Sequence, residues 1–407
     1  MAPKRELSFG DVNGRPPNKA ERPEKRVKSG LPEISTGGSD ILRQLLDMTT
    51  HDFSSPRALT ERFDEIAALL LQRMVLVCQT NSPTEPEPKK SEEYEILELE
   101  FYLRMGDHHE DPYTHGSDEQ RLSGRWYFHR AGRNTASQTS SKTTLPGYRG
   151  GSRKGLDLTF GAPSSLAVVD EGTTSRFFKA AQPLDTNETT ASHTHGGILL
   201  RSIRRISDSH VVSGPSLLVD EILRVSRASS LAQLVQMKWD NNISGFSSMV
   251  SGKATSSLFL RPADLHEDQI SRLPPIYKSP RIGLDLSNPA VQLSASDPRV
   301  VFMPKNYRYF TRPHLLTANG RGQTFLGVYQ SYLDTGKFNG DKERLLAEIV
   351  KLTGLTAQSV SKYETQYQLG RTSGNLKPFV GSGGKGASAS PMSFLKMIGS
   401  AHTFLKI

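Results

Sequence analysis

The segment "EILELEFYLRMGDHHEDPYTHG", residues 95–116, constrains this chain most, because it sets two carboxylates, Glu98 and Glu100, inside an apolar run. Side chains alternate between the two faces of a strand, so residues two apart share a face. A strand here puts Leu97, Leu99, Phe101 and Leu103 on one side as a complete core face. Ile96, Glu98, Glu100 and Tyr102 form the other, acidic and aromatic, and it runs into a loop carrying His108, His109, Tyr113 and His115. Two readings stay open at this point. Either the acidic face is the solvated side of an ordinary half-buried strand, or it lines a site.

Composition narrows the choice of partner. The chain has 407 residues and a formal net charge of +9, a balance that suits a polyanion such as nucleic acid. Its one cysteine, Cys78, excludes an internal disulfide and a cysteine-based zinc cluster, and reads as a small buried hydrophobe. No stretch has the length and apolarity of a transmembrane helix, so no membrane partner is expected. "KAERPEKRVK" has the basic composition of a nuclear import signal, or of a plain solvated tail.

Punctuation divides the chain. Residues 1–40, rich in Pro, Gly and charge, read as a disordered basic tail. Residues 41–315 read as one α+β domain, a curved, mainly antiparallel sheet wrapped by helices. It opens with a helix capped by Ser54 or Ser55, striped by Leu59, Phe63, Ile66, Leu69 and Leu70, and followed by the strand "MVLVCQT". "GLDLTFG", "GGILLRSIRRIS", "SSLFLRP", "PRIGLDLS" and "DPRVVFMPKNYRYF" are strand candidates, and "GPSLLVDEILRVSRA" is a helix after a Gly-Pro start. Residues 316–380 form a helical extension. Within it "EIVKLTGLTAQSVSKY" fits a helix-turn-helix with Gly354 in the turn and Gln358, Ser359 and Lys362 outward, or an ordinary helical hairpin. Residues 381–407 read as a flexible linker, "GSGGKGASAS", and an amphipathic end.

The order of these pieces resembles the alkyladenine (3-methyladenine) DNA glycosylase family. There, a helix and strand precede an acidic strand ending in Glu-x-Glu-x-Tyr and a histidine-containing loop. "IAALLLQRMVLVC", "ILELEFYL" and "DPYTHG" match these parts in order, followed by "SGRWYFHRAG", "GLDLTFG", "GGILLRSI" and "GPSLLVDEIL". The resemblance covers roughly residues 59–310 and rests on the ordered series.

What the resemblance implies is specific. Glu100 would activate the water, with Arg201 near it and the DNA backbone. Tyr102 would stack on the flipped base, His115 would bond to the extruded nucleotide, and Phe160 would wedge into the vacated stack. Asp157 stands where the family has a second stacking aromatic. That departure implies a shifted register, a pocket for another base, or lost chemistry. The chemistry fits the residue types, because an extruded base is stacked on aromatics and a carboxylate both deprotonates water and offsets charge on the sugar. Glu98 is either a like-charge neighbour of Glu100 or a structural acceptor. Arg149, Arg153, Lys154 and Arg204, with Arg205, are the expected backbone contacts, or else a solvated basic face. His108, His109, His115, Asp107, Glu110 and Asp111 offer a metal-binding alternative that solvated loop residues match better. The expectation is a monomeric, nuclear, cofactor-free DNA glycosylase acting on a damaged purine in double-stranded DNA. The alternative is a nucleic-acid-binding protein of the same fold without catalysis.

Overall fold

Alternating strands and capped helices build a mixed fold, a curled antiparallel half-barrel sheet with helices around it. The computed structural model describes residues 38–50, 53, 55–81, 90–130, 148–149, 151–163, 194–246, 253–316, 318–338 and 340–407. "KAERPEKRVK", the Asp107 side chain and most of the basic 133–155 segment lie outside what is described.

Helix α1 (Gly38–Leu46) starts inside the expected tail. Helix α2 (Pro56–Gln72) carries Pro56 in its first turn, where a missing N–H leaves no bond unmade, and Ser55 occupies the N-cap without a side-chain bond. Then come β1 (Met74–Thr80), β2 (Lys90–Met105), β3 (His109–Glu110), β4 (Trp126–Phe128), β5 (Leu156–Thr159), β6 (Thr194–Arg205) and β7 (Val211–Ser213). Helices α3 (Pro215–Val225) and α4 (Leu231–Gln233) precede β8 (Ser256–Pro262), α5 (Glu267–Ile270), β9 (Tyr277–Ser279), α6 (Pro298–Phe302) and β10 (Arg308–Phe310). Four helices follow, α7 (Arg321–Thr335), α8 (Lys342–Thr353), α9 (Ala357–Ser373) and α10 (Pro391–Leu405).

Two strand expectations are corrected. The strand near "PRIGLDLS" is β9, which ends just before Pro280. The first half of "DPRVVFMPKNYRYF" is helix α6, because Asp297 caps it through the Arg299 and Val300 amides and Pro298 suits its first turn.

The sheet order is β4-β5-β6-β2-β1-β8, with β10 joining β2 to β9. Strand β2 is the spine. Along one edge it pairs with β6. Along the other it pairs first with β1 and then, from Glu98, with β10. At that change the register slips, with Ile96 opposite Ile203, Glu98 opposite Ser202 and Leu99 opposite Leu200. Leu97 and Arg201 are therefore skipped, a bulge on each strand that re-aims a side chain. Leu99, Phe101 and Leu103 are buried as expected. Phe63 of α2 stacks on Phe101 at 4.3 Å, and Tyr309 meets Phe101 edge-on. Leu97 leaves that set and joins a different core, the one built by the last four helices.

That second core corrects the reading of 316–407 as an extension with a linker. It unites Leu97, Tyr277 and Phe310 from the sheet with Phe325, Ile349, Val360, Tyr367 and Leu395 from the helices. The described residues form one compact unit. "GSGGKGASAS" is ordered, starting with the turn Gly381–Gly384, and a Cβ at Gly384 would lie 1.9 Å from the Phe379 carbonyl oxygen. Helix α10 is amphipathic as expected, and its apolar side is sunk into the core, with Phe394, Leu395, Met397, Ile398 and Ala401 buried and Met392, Lys396 and Thr403 exposed. It crosses α9 where Gly370 and Gly399 meet, each without room for a methyl group. Among the described residues no helix is long and apolar enough to cross a membrane.

The Gly399 contact gives a sharp test. A Cβ there would lie 2.2 Å from the Tyr367 carbonyl oxygen, backbone that cannot swing aside. Gly399→Ala should cost about 1–3 kcal/mol, the usual range for overpacking, read as a lower denaturant midpoint. An unchanged midpoint would mean that the two helices do not approach this closely.

Candidate functional site

The acidic face of β2 is not solvated. Glu98 is 3% exposed and Glu100 fully buried. A buried carboxylate is costly unless paired and hydrogen-bonded, and the sheet supplies partners from three directions. Glu98 accepts from Arg308 Nε of β10 at 2.6 Å, from Arg201 Nε of β6 at 3.2 Å and from the Ser202 hydroxyl. Glu100 accepts from the Ile282 amide at 2.7 Å on one oxygen, and from Tyr102 OH at 2.8 Å and Arg201 Nη1 at 3.2 Å on the other. The bulge explains the reach of Arg201, which spans both carboxylates from its skipped position in the ladder.

The network extends further. Arg281, fully buried, grips Asp111 with two nitrogens and donates to the Phe101 carbonyl at 3.0 Å. Its guanidinium lies over the ring of Tyr102 at 4.5 Å and near those of Tyr113 and Tyr307. Arg308 also donates to Ser279 Oγ and to Thr324 Oγ1 of α7, both at 3.0 Å. Three buried guanidiniums thus face three buried carboxylates. The buried charges of the cluster balance one another. Burial pushes the Glu98 carboxyl up, but Arg308, Arg201 and Ser202 outweigh it and hold its pKa below the usual value. Burial likewise opposes the charge on Arg201, which Glu100 and Glu98 more than restore.

The expected site residues therefore divide. Glu100, Tyr102 and Arg201 converge, but in a closed cluster where both Glu100 oxygens are already bonded. His115 lies elsewhere, its ring 4.7 Å from that of His129. Asp157 faces His129 as well, with Oδ1 at 2.9 Å from Nε2, and its other oxygen accepts from Gln120 Nε2 at 3.1 Å. Burial and the neighbouring His129 lower the pKa of His115, while Asp157 overcomes burial to raise that of His129. Phe160, expected as a wedge, is fully buried and meets Phe63 and Phe101 edge-on at 6.0 Å, so it cannot enter a duplex.

Of the expected backbone contacts, only Arg153 is exposed. Arg149 donates to the Arg130 carbonyl, Lys154 pairs with Asp220, and Arg204 pairs with Glu95 at 2.6 Å. His109 is also committed, with Nδ1 2.9 Å from the Leu103 carbonyl and Nε2 2.8 Å from Tyr307 OH. Among the described residues no group of three or more His, Cys, Asp or Glu side chains is placed to hold a metal ion. Sequence reasoning missed Arg281 and Arg308, and it singled out Asp111 as a possible metal ligand where the structure pairs it with Arg281. Arg308 had a visible signal, a charge between Tyr307 and Tyr309 inside an aromatic strand.

The helical segment is two helices joined by a short turn, the form that a helix-turn-helix and a helical hairpin share, and Leu345 and Ile349 of α8 are packed into the second core. Helix α8, Gly354 at φ +67° and α9 make a helix–turn–helix, with the Thr356 side chain capping α9 through the Ser359 amide. Gln358 and Lys362 are exposed as expected. Ser359 is not, because its hydroxyl bonds to Thr356 Oγ1 at 2.9 Å. A cavity of about 130 Å³ opens at this turn, lined by Arg321 and Thr324 of α7 and by Thr356 and Ser359. Residues 354–407 hold six Lys and Arg residues, Lys362, Arg371, Lys377, Lys385, Lys396 and Lys406, every one exposed. The same stretch has one acid, Glu364, which is buried and paired with Lys342 at 2.8 Å.

The site thus belongs to an α+β protein with a sealed ionic core and a basic helical surface. The chain is 26% identical to an uncharacterized protein, L759, of Acanthamoeba polyphaga mimivirus over 187 residues, which is 46% of this chain and 67% of that one. No family model matches the chain, and no solved structure matches it.

Two outcomes follow from the cluster. Arg308→Met leaves Glu98 buried and short of its closest charged partner, and should cost about 3–5 kcal/mol in denaturation experiments. Adding Glu98→Leu should recover much of that loss, whereas additive losses would show that the pair is not coupled. The second outcome is pH dependence. Burial lowers the pKa of His109 to about 4, and that of His402 likewise to about 4. An unfolded imidazole titrates near pH 6.5, so between about 6.5 and 4 the unfolded chain binds more protons than the folded one. Stability should therefore fall as pH drops through that window. Thermal melts across it should show His109→Gln with a flatter decline than wild type, and equal slopes would refute the assignment.

Proposed function

We propose that this chain binds double-stranded nucleic acid as a monomer and that its central sheet does no chemistry. The observation that carries the reading is the surface of residues 354–407, with six exposed cations and its single carboxylate buried. Ordinary solvated helices mix both signs. A stretch whose exposed charges are all positive attracts phosphate, and neutralising phosphates releases counterions. The net charge of +9 supports it. The expected nuclear location accords with such a partner and rests on the basic N-terminal composition.

The sealed carboxylate favours this reading over the glycosylase one. A water-activating base needs a free oxygen within reach of water and substrate, and Glu100 has neither exposure nor an unbonded oxygen. The glycosylase reading requires Ile282, Tyr102 or Arg201 to part from Glu100.

Duplex binding by the whole protein, measured between about 50 and 200 mM salt, should weaken steeply as salt rises. Reversing Lys385 and Lys396 to Glu should flatten that slope. Salt-independent binding, or none, would end the proposal. Duplexes carrying hypoxanthine, ethenoadenine or 3-methyladenine should release no free base. Release that disappears in Glu100→Gln would restore the enzyme.

A further inference from the structure

We infer that α9 is a base-reading helix for the major groove of duplex DNA. The inference rests on the proposed function and says which surface supplies sequence preference. Helix α9 buries Val360, Glu364, Tyr367 and Gly370 against the rest of the protein. Its opposite face exposes Gln358, Ser361, Lys362, Thr365, Leu369 and Thr372, spaced three and four apart as one stripe.

The chemistry of that stripe is selective. It carries amide, hydroxyl and ammonium groups and no carboxylate. A helix that is merely solvated gains from acid–base pairs four residues apart, and the exposed side of α9 has none. A membrane-surface helix needs a broad apolar face, and Leu369 is the one large apolar residue here. A protein-docking face would draw its energy from buried aromatic or arginine anchors, and the stripe has neither. Amides bond to the two groups of an adenine edge, and ammonium groups to the acceptors of guanine. These are the groups that Gln358 and Lys362 present.

The geometry suits the same partner. A helix with side chains is about 10–12 Å across, close to the width of the major groove of B-form DNA. The turn at Gly354 lets α8 precede α9 as the first helix of a helix-turn-helix does, and base contacts then come from the first turns of the second helix. Gln358, Ser361 and Lys362 occupy those turns. The Thr365 hydroxyl does not compete, being bonded to the Ser361 carbonyl at 2.9 Å. The A-form duplex of RNA has a major groove too deep and narrow for a helix, so the inference commits to DNA.

The test selects preferred sequences from a random duplex DNA pool with the full chain. It then compares a selected duplex with a scrambled one for wild type, Gln358→Ala, Lys362→Ala and the control Lys385→Ala/Lys396→Ala. Wild type should prefer the selected duplex, and Gln358→Ala and Lys362→Ala should each cut that preference by about tenfold. The control should weaken both duplexes alike and keep the ratio, as contacts to phosphate do. Binding without preference, or variants that keep the wild-type ratio, would overturn the inference and leave the proposed function standing. Failure of wild type to bind any duplex would overturn both. An equal preference among RNA duplexes would overturn the choice of groove.

Discussion

Two carboxylates on the inner face of one strand govern much of this structure. Glu98 and Glu100 are buried, and a buried charge holds only when it is paired and its lone pairs are filled. Strand β2 therefore needs arginines, and it draws them from distant parts of the chain, Arg201 on β6 and Arg308 on β10. Each carboxylate accepts at a fixed geometry, so the pairing also selects register. A one-residue slip of β10 would turn Arg308 to the other face and present Tyr309 to Glu98. The apolar contacts between Phe63, Phe101 and Tyr309 supply burial on the far side. The ion pairs specify which strand lies where, the role for which buried polar groups are best attested.

The change of neighbour along β2 follows from the same demand. Strand β1 pairs with the exposed, charged beginning of β2, and β10 takes over where the acidic face begins. The paired bulges at Leu97 and Arg201 accommodate the switch. They send Leu97 into the helical core and bring Arg201 across both carboxylates. A regular ladder would have given either Leu97 a place beside Phe101 or Arg201 a single partner. The bulge is thus the point at which the core splits between the α2 side and the side covered by α7–α10.

How much of this is legible beforehand depends on the range of the interaction. The elements themselves follow local rules, and α2, β1, β2, β6, α3, α8 and α9 fall where period and punctuation place them. The special character of the acidic face is also visible, because charges inside an apolar strand demand an explanation. Their partners are not visible, since Arg281 and Arg308 lie some two hundred residues away in sequence and only the fold brings them close. Phe160 was within reach. Its parity with Leu156 and Leu158 puts it on the core face of β5, and alternation outweighs a role borrowed from resemblance. The run "GSGGKGASAS" misleads for a different reason. Small residues signal a flexible linker when the backbone is free, yet here Gly384 is small because the Phe379 carbonyl occupies the space of a side chain. Composition alone does not distinguish the two uses of glycine.

The acidic strand and helix α9 are parts of one arrangement. Arg308 clamps Glu98 through Nε and, through Nη2, Thr324 in the first turn of α7. One turn and more along α7, Tyr329 receives the Gln368 amide of α9 at 3.0 Å and meets Tyr367 edge-on. The far side of α9 is pinned to α10 through Gly370 and Gly399. Contacts of this kind fix a helix in rotation as well as position, because a turn of α9 about its axis would drive Gly370 off its partner. Rotation decides which residues face outward. The network that fills the sheet's acidic face therefore also helps to hold Gln358, Ser361 and Lys362 on the exposed side of α9. Thr324, which accepts from Arg308, and Tyr329, which accepts from Gln368, thus join the ion pairs of the sheet to the orientation of α9.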